Sequence, residues 1–365
     1  MEFVLSELCE QVLTARAGQK PLFIAGSGSK SFYGNHRPLT PQDGHCLLDM
    51  TGYRGIINYQ PSELVVTARA GTPLAELEAE LAARGQMLAF EPPHFGPDAT
   101  VGGCVAAGLA GPRRMAAGGV RDFVLGARLL DSHARLLAFG GEVMKNVAGY
   151  DVSRLLAGSQ GIFGAIIEVS LKVLPRPMQE RTLLREATQD EALNLFSQWR
   201  SRPMPISASC WVPQADGHGQ LAVRLSGAPP AIEAATARIG GQELQEADAW
   251  WYALREQTHP FFDPSRPLWR VAVPPTAPAL ALAPMLIEWG GGQRWFSGQA
   301  DVGEVRDAAA RAGGHATLFR TASSAAPADG VFHPLAPGVA TLTRRLKQEL
   351  DPAGLFNPGR LYLEL

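Results

Sequence analysis

Thr100-Val-Gly-Gly-Cys-Val-Ala-Ala-Gly-Leu-Ala-Gly-Pro-Arg-Arg114 opens the stretch whose reading decides the fold. Gly119-Val-Arg-Asp-Phe-Val-Leu-Gly126, Gly140-Gly-Glu-Val-Met-Lys-Asn-Val-Ala-Gly-Tyr-Asp151 and Gly158-Ser-Gln-Gly-Ile-Phe-Gly164 continue it. Glycine recurs in short segments, and charged side chains are few and clustered. Glycine lets main-chain N–H groups approach a ligand closely and permits positive φ. Several such turns together suit a large anionic ligand held by main chain. They equally suit plain tight turns between strands, and spacing alone does not choose.

Upstream, Pro21-Leu-Phe-Ile-Ala25 is a short apolar run that reads as a buried strand, and Gly26-Ser-Gly-Ser-Lys-Ser31 follows at once. A P-loop would end in Gly-Lys-Ser/Thr, but Ser29 precedes Lys30. A dinucleotide fingerprint would place a third glycine at position 31 and then a helix, yet Ser31 and the loop-like Phe32-Tyr-Gly-Asn-His-Arg-Pro38 stand there. This ranks a nicotinamide-binding Rossmann protein low. What remains is either an amide-rich pyrophosphate cradle or an ordinary turn.

Around these turns the periodicities predict mixed α and β structure. Residues 2–17 carry a helical pattern ended by Gly18, and 47–50, 55–59 and 63–70 read as strands. Thr72 is placed to cap a helix beginning at Pro73, with Leu74, Leu77 and Leu81 on one face and Gly85 as the stop. Residues 86–90 read as a strand, 124–130 and 135–139 as a hairpin, 150–157 as a short helix and 164–174 as a strong strand. After Pro177 the composition shifts toward Ala, Gln, Trp and Pro. There, 203–211 and 220–225 read as strands, 229–239 and 243–257 as helices, and 286–289 with 294–296 as a hairpin. The tail holds a helix over 338–349.

The chain has 365 residues, enough for two domains, with 46% hydrophobic and 19% charged residues. A net charge of −2 and no run of like charge argue against a nucleic-acid partner. Cys9, Cys46, Cys104 and Cys210 are far apart, so no local redox, zinc or iron–sulfur motif exists, and reduced thiols of a cytosolic protein are expected. The N-terminus lacks a basic n-region and no apolar run is long enough for a span. A soluble, cytoplasmic chain is expected, at the inner face of a membrane only through partners.

The strings Gly26-Ser-Gly-Ser-Lys30, Thr100-Val-Gly-Gly103, Gly111-Pro-Arg-Arg114, Arg121-Asp122, Val143-Met-Lys-Asn-Val-Ala-Gly-Tyr-Asp-Val-Ser-Arg-Leu155, Gly158-Ser-Gln-Gly161 and the tail Asp351-Pro-Ala-Gly-Leu-Phe-Asn-Pro-Gly-Arg360 carry a family resemblance. They resemble flavoproteins with the vanillyl-alcohol-oxidase (PCMH-type) FAD domain, and within them the glycolate oxidase E subunits. The resemblance implies an α+β fold: an FAD domain of two α+β subdomains over 1–177, a smaller α+β cap over 178–330, and a tail, 331–365, packing back on the FAD domain. It implies FAD as cofactor, a small 2-hydroxy acid as substrate, and two partners, a second FAD subunit and an iron–sulfur subunit.

Carried over by motif, Gly26, Ser27, Gly28, Ser29, Lys30, Thr100, Gly102 and Gly103 would hold the pyrophosphate. Gly158, Gly161, Gly164 and Ile166 would follow the adenosine side, and Asn357 would pack near the flavin. Arg121, Asp122 and Lys145 complete the implied cofactor set. Two departures stand out. Catalytic relatives often carry Gly-Ser-Glu-Gly-Thr where this chain has Gly158-Ser-Gln-Gly-Ile162, and a cap histidine cluster where His218, His259 and His315 are singletons. No metal site is expected. These departures leave two functions open: a subunit oxidising glycolate or another D-2-hydroxy acid, or a structural or electron-relay FAD subunit whose partner holds the substrate.

Single residues carry paired readings. Lys30 is a phosphate contact or a solvated loop lysine. Arg113 and Arg114 meet an anion, or form an ion pair with a residue such as Asp122. Lys145 and Tyr150 face the flavin, or pack a helix start. His94 is a base or a loop histidine, and Cys104 a flavin tether or a small buried residue. His94, Arg113 and Tyr150 are the catalytic candidates. Trp250, Trp251, Trp269, Trp289 and Trp295 read as core.

Overall fold

The computed structural model describes residues 1–35, 46–142, 151–214, 217–322 and 327–365. The chain divides into two compact units. The first comprises Met1–Leu109, Gly119–Pro175 and Ser324–Leu365; the second, Ala110–Gly118 and Arg176–Ser323.

In the first unit a five-stranded antiparallel sheet runs in the order Ile56–Gln60, Val65–Arg69, Ala165–Lys172, Val124–Leu130, Leu136–Gly140. Its central strands Val65–Arg69 and Ala165–Lys172 are mostly buried along their length, as strands covered on both sides must be. Leu22–Ala25 pairs in parallel with Cys46–Asp49 in a separate small sheet. The helix Glu2–Ala17 buries Leu8, Val12 and Ala15, and Leu74–Ala83 buries the expected Leu74, Leu77 and Leu81.

Thr72 does not cap that helix. Its Oγ1 accepts the Gly55 N–H at 2.9 Å, and Pro73 takes the cap position, so the hydroxyl joins two loops. The expected strand over 86–90 is confined to Gln86–Met87.

The second unit is built on an eight-stranded antiparallel sheet. Its order is Gln242–Glu243, Gln179–Thr188, His218–Gly227, Ile206–Pro213, Met285–Glu288, Gln293–Ser297, Leu268–Ala272, His315–Arg320. The helices Gln189–Arg200, Pro229–Ile239, Ala247–Arg255 and Val302–Arg311 belong to this unit. Thr188 and Glu191 form a capping box at the start of the first of these. Trp251, Trp269, Trp289 and Trp295 are buried here, in keeping with a core role.

Ala110–Gly118 departs from the expected division. It lies within the glycine-rich stretch yet packs in the second unit. Gly111 O accepts from Trp289 Nε1 at 3.1 Å, Arg113 pairs with Glu180 at 2.7 Å, and Arg114 stacks over the Trp289 ring at 4.4 Å. The second unit otherwise begins at Arg176, and the first resumes at Ser324.

Candidate functional site

A cleft in the first unit, open to solvent, is walled by parts of the chain that are distant in sequence, chiefly 23–31, 102–107, 160–166 and 357–360. Such clefts, lined by apolar walls and a few convergent polar groups, are the usual form of cofactor sites. Of the residues expected at the cofactor, Gly26, Ser27, Gly28, Ser29, Lys30, Gly102, Gly103, Gly161, Gly164, Ile166 and Asn357 line it.

The turn after Leu22–Ala25 supplies the polar end. Ser31 N–H donates to Gly28 O at 2.9 Å and closes the turn, with Gly28 at φ +78°. Among the described residues no protein acceptor takes the N–H groups of Ser27, Gly28 or Ser29. Three such amides in one turn form a concave donor set for an anion. Lys30 Nζ lies beside them, donating to Ser29 Oγ at 3.4 Å and to the His94 carbonyl at 3.0 Å. It is therefore a positioned cation, anchored to the 92–96 loop, rather than a solvated one.

Gly102 and Gly103 have a different role from the one expected. They sit in the first turn of the helix Val101–Ala107, where helix amides ordinarily lack partners. Here those amides are already used: Gly102 N–H by Ala70 O at 2.8 Å, and Gly103 N–H by Thr100 Oγ1 at 3.2 Å. The glycines are required by packing, since a Cβ at Gly102 would lie 2.7 Å from Ala70 Cβ. A Cβ at Gly26 would collide with Thr100 Oγ1, so Thr100 shapes the wall from behind without lining it.

The far wall comes from Gln160, Gly161 and the tail. Asn357 is buried; its Oδ1 accepts Ile24 N–H at 2.8 Å and its Nδ2 donates to Gln160 O at 2.6 Å. A Cβ at Gly161 would meet that Nδ2 at 2.7 Å. Gln160 Nε2 is buried in the wall with no hydrogen-bond partner among the described residues. A buried amide left unpaired is costly, so it points to a ligand acceptor in the cleft. Arg360 Nη2 donates to the carbonyls of Ser31 at 2.7 Å and Tyr33 at 2.6 Å, and burial lowers this guanidinium to about 10. No carboxylate pairs with it among the described residues, so its charge adds to that of Lys30.

Gln160 and Arg360 were not singled out from the sequence as site residues. Gln160 lies in the string that departs from the catalytic relatives, and Arg360 ends the tail motif; both positions were visible signals.

Other expected residues are placed elsewhere. Gly158 buttresses the helix Val101–Ala107: its N–H donates to Val105 O at 2.9 Å, and its backbone lies 2.8 Å from where a Cβ of Gly108 would be. Arg121 and Asp122 are exposed on the short helix Val120–Phe123, and neither lines the cleft. Asp122 Oδ2 accepts the Gly119 N–H at 2.8 Å, a local cap, so it is not the partner of Arg113. Arg113 is 6% exposed, bound to Glu180 and Ser226. His94 Nε2 lies 2.9 Å from Glu78 Oε2. Lys145 and Tyr150 lie outside the described residues. Burial pushes the Cys104 thiol up to about 12, Lys30 only partly opposing it. The thiolate needed for a covalent tether is absent at neutral pH. Among the described residues no group of three or more His, Cys, Asp or Glu is placed to hold a metal.

Residues 5–140 match the FAD binding domain family. The chain is 48% identical over 359 residues to the glycolate oxidase subunit GlcE of Escherichia coli (strain K12), covering 98% of this chain and 97% of that one. The chain belongs to the glycolate oxidase GlcE family. More distant relatives match only part of it. Glycolate oxidase subunit GlcD of Bacillus subtilis is 27% identical over 45% of this chain and 34% of its own length. A D-lactate dehydrogenase of Archaeoglobus fulgidus is 31% identical over 39% of this chain and 32% of its own. Among solved structures, alkyldihydroxyacetonephosphate synthase superposes with a TM-score of 0.70 at 16% identity, over 97% of this chain and 75% of that one, which shows a shared fold.

This GlcE-family chain takes FAD as its cofactor, and the cleft fits it. The unpaired amides of Ser27, Gly28 and Ser29 with Lys30 match a diphosphate, and the orphaned Gln160 amide awaits an acceptor.

Proposed function

We propose that this chain is the FAD-holding subunit of a multi-subunit oxidoreductase acting on glycolate or a similar small D-2-hydroxy acid. The observation that carries the reading is the Ser27–Ser29 amide cradle inside a chain that parallels a glycolate oxidase subunit along nearly its whole length. Bound FAD supplies the acceptor for the hydride leaving the α-carbon of the acid. Ser27, Gly28 and Ser29 hold the diphosphate through main chain, and Lys30 and Arg360 balance its charge. Gln160 donates from the far wall, and Asn357 keeps that wall against Ile24.

Electrons then leave to partners, a second FAD subunit and an iron–sulfur subunit. The complex works in the cytoplasm, at the membrane's inner face where its partners reach it. No helix among the described residues is long and apolar enough to cross a membrane.

A second reading assigns this chain a relay or structural role, with the substrate held by a partner. Two catalytic candidates favour it, because Arg113 is committed to Glu180 and His94 lies against Glu78. Anaerobic addition of glycolate to the purified chain and to the co-expressed complex separates the two. Bleaching of the isolated chain's flavin band supports a substrate site of its own. Bleaching in the complex alone supports the relay. A complex in which this chain's flavin never changes oxidation state contradicts both redox assignments.

A further inference from the structure

The second unit contains its own cleft, of about 690 Å³, lined in part by Arg114 and Met115 at the end of the glycine-rich stretch. Four arginines line it: Arg114, Arg200, Arg202 and Arg270. No Asp or Glu is among the lining residues. Arg200 donates only to main-chain oxygens, Gly290 O at 2.9 Å and Pro275 O at 3.2 Å. Arg202 is exposed, and neither its guanidinium nor that of Arg270 has a hydrogen bond or ion pair among the described residues. Arg114 lies flat on Trp289, and Trp199 and Phe196 extend the apolar wall.

Arg200, Arg202 and Arg270 bring like charges to one concavity with no carboxylate in its lining, and such a positive field favours an anionic occupant. A guanidinium pairs with a carboxylate through two parallel N–H bonds. A small 2-hydroxy acid brings a single carboxylate, which one or two of the four arginines would saturate, and it would leave most of the cleft empty. Several carboxylates along a chain match the charge. Arg and Trp are also the side chains that most often anchor protein interfaces.

We propose that this cleft docks an acidic segment of a partner subunit, with carboxylates on Arg200, Arg202 and Arg270 and an apolar residue against Trp199 and Phe196. The inference rests on the reading that the chain works within a multi-subunit complex.

The test co-expresses a tagged chain with the other subunits of the complex. It compares wild type, the double variant Arg202→Glu/Arg270→Glu, and Arg238→Glu on an exposed helix face elsewhere in the same unit. The expected result is at least a tenfold loss of co-purified partner in the double variant, with FAD content unchanged and Arg238→Glu matching wild type. Raising the salt to 0.5 M should reproduce the loss on the wild-type complex, because it screens ion pairs at an open cleft (on the order of a Debye length). Undiminished assembly in the double variant overturns the proposal, and lost binding of inorganic phosphate in that variant would then assign the cleft to a small anion. Failure of the wild-type subunits to assemble at all contradicts the multi-subunit reading instead. If the double variant fails to fold, benzoylphenylalanine at Met115 of the otherwise native chain decides. Capture of an Asp/Glu-rich partner peptide from the complex supports the proposal, and capture of none overturns it.

Discussion

Asn357 accepts the main-chain N–H of Ile24 at 2.8 Å across 333 residues of sequence, and so ties the tail to the strand that leads into the cofactor turn. The same amide donates to Gln160 O at 2.6 Å, and Asn357 N–H donates to Leu22 O at 2.9 Å. One side chain thus joins three walls of the cleft. Asn357→Ala leaves the Ile24 N–H and the Gln160 carbonyl without partners. Each buried group so exposed costs about 1–3 kcal/mol. A lowered thermal midpoint of the FAD-free protein, with weaker FAD binding, is expected; an unchanged midpoint would show that the tail does not brace the cleft.

Lys347 anchors the tail from below. Its buried ammonium donates to Asp351 Oδ2 and Ile162 O, both at 2.6 Å, and to Phe356 O at 2.9 Å. Burial lowers the ammonium, and Asp351 partly restores it. Lys347→Met strands the Asp351 carboxylate, and breaking a buried pair typically costs about 3–5 kcal/mol. Urea unfolding measures this; a loss under about 1 kcal/mol would mean water reaches the pair.

Two glycines of the cleft should respond in opposite ways. Gly102→Val forces a side chain into Ala70 and should disrupt folding of the unit. At Gly28 there is open space, but φ is +78°, so Gly28→Ala should fold with about 1–2 kcal/mol of strain and bind FAD more weakly. Circular dichroism and FAD titration of both variants check the contrast, which equal behaviour would refute.

Gln160→Leu removes an amide that has no protein partner. Stability should barely change, while FAD affinity falls by about 1 kcal/mol, roughly fivefold. Fluorescence titration with FAD reads the difference, and a large drop in melting temperature with intact FAD affinity would reverse the assignment.

Asp131 sets the acid limit of the hairpin Val124–Leu130/Leu136–Gly140. Burial raises its carboxyl, but the N–H groups of Arg135 and His133 and the Arg135 guanidinium outweigh this and hold it below the usual range. A lowered folded value contributes stability above the unfolded carboxylate range, and that contribution is lost as pH falls through the folded value. Asp131→Asn should lose stability at neutral pH and show a shallower acid decline. Denaturant midpoints between pH 7 and pH 3 (a range of about four units) test this, and parallel curves would contradict it.

Much of the first unit was legible because local pattern and final environment agree there. Val65–Arg69 and Ala165–Lys172 are apolar runs that end as central strands, and Leu74, Leu77 and Leu81 face the core as their spacing predicts. The second unit was harder to read. Gln179–Thr188 and Gln189–Arg200 run from strand to helix without a glycine or proline between, and only the Thr188–Glu191 capping box marks the change. At the site, glycine spacing located the cleft but not the use of each amide. Thr100, Gly102 and Gly103 resemble a phosphate turn, yet Ala70 and Thr100 take the helix amides, a pairing set by tertiary contact. Arg113 could be assigned to Glu180 only once Ala110–Gly118 was seen within the second unit.

The most direct test of the central claim is the flavin content of this chain purified alone, read from its visible absorption and from FAD released on denaturation. One FAD per chain is the predicted result, lost in Gly102→Val and weakened in Gln160→Leu. A folded wild-type chain that neither carries FAD nor takes it up on titration would contradict it.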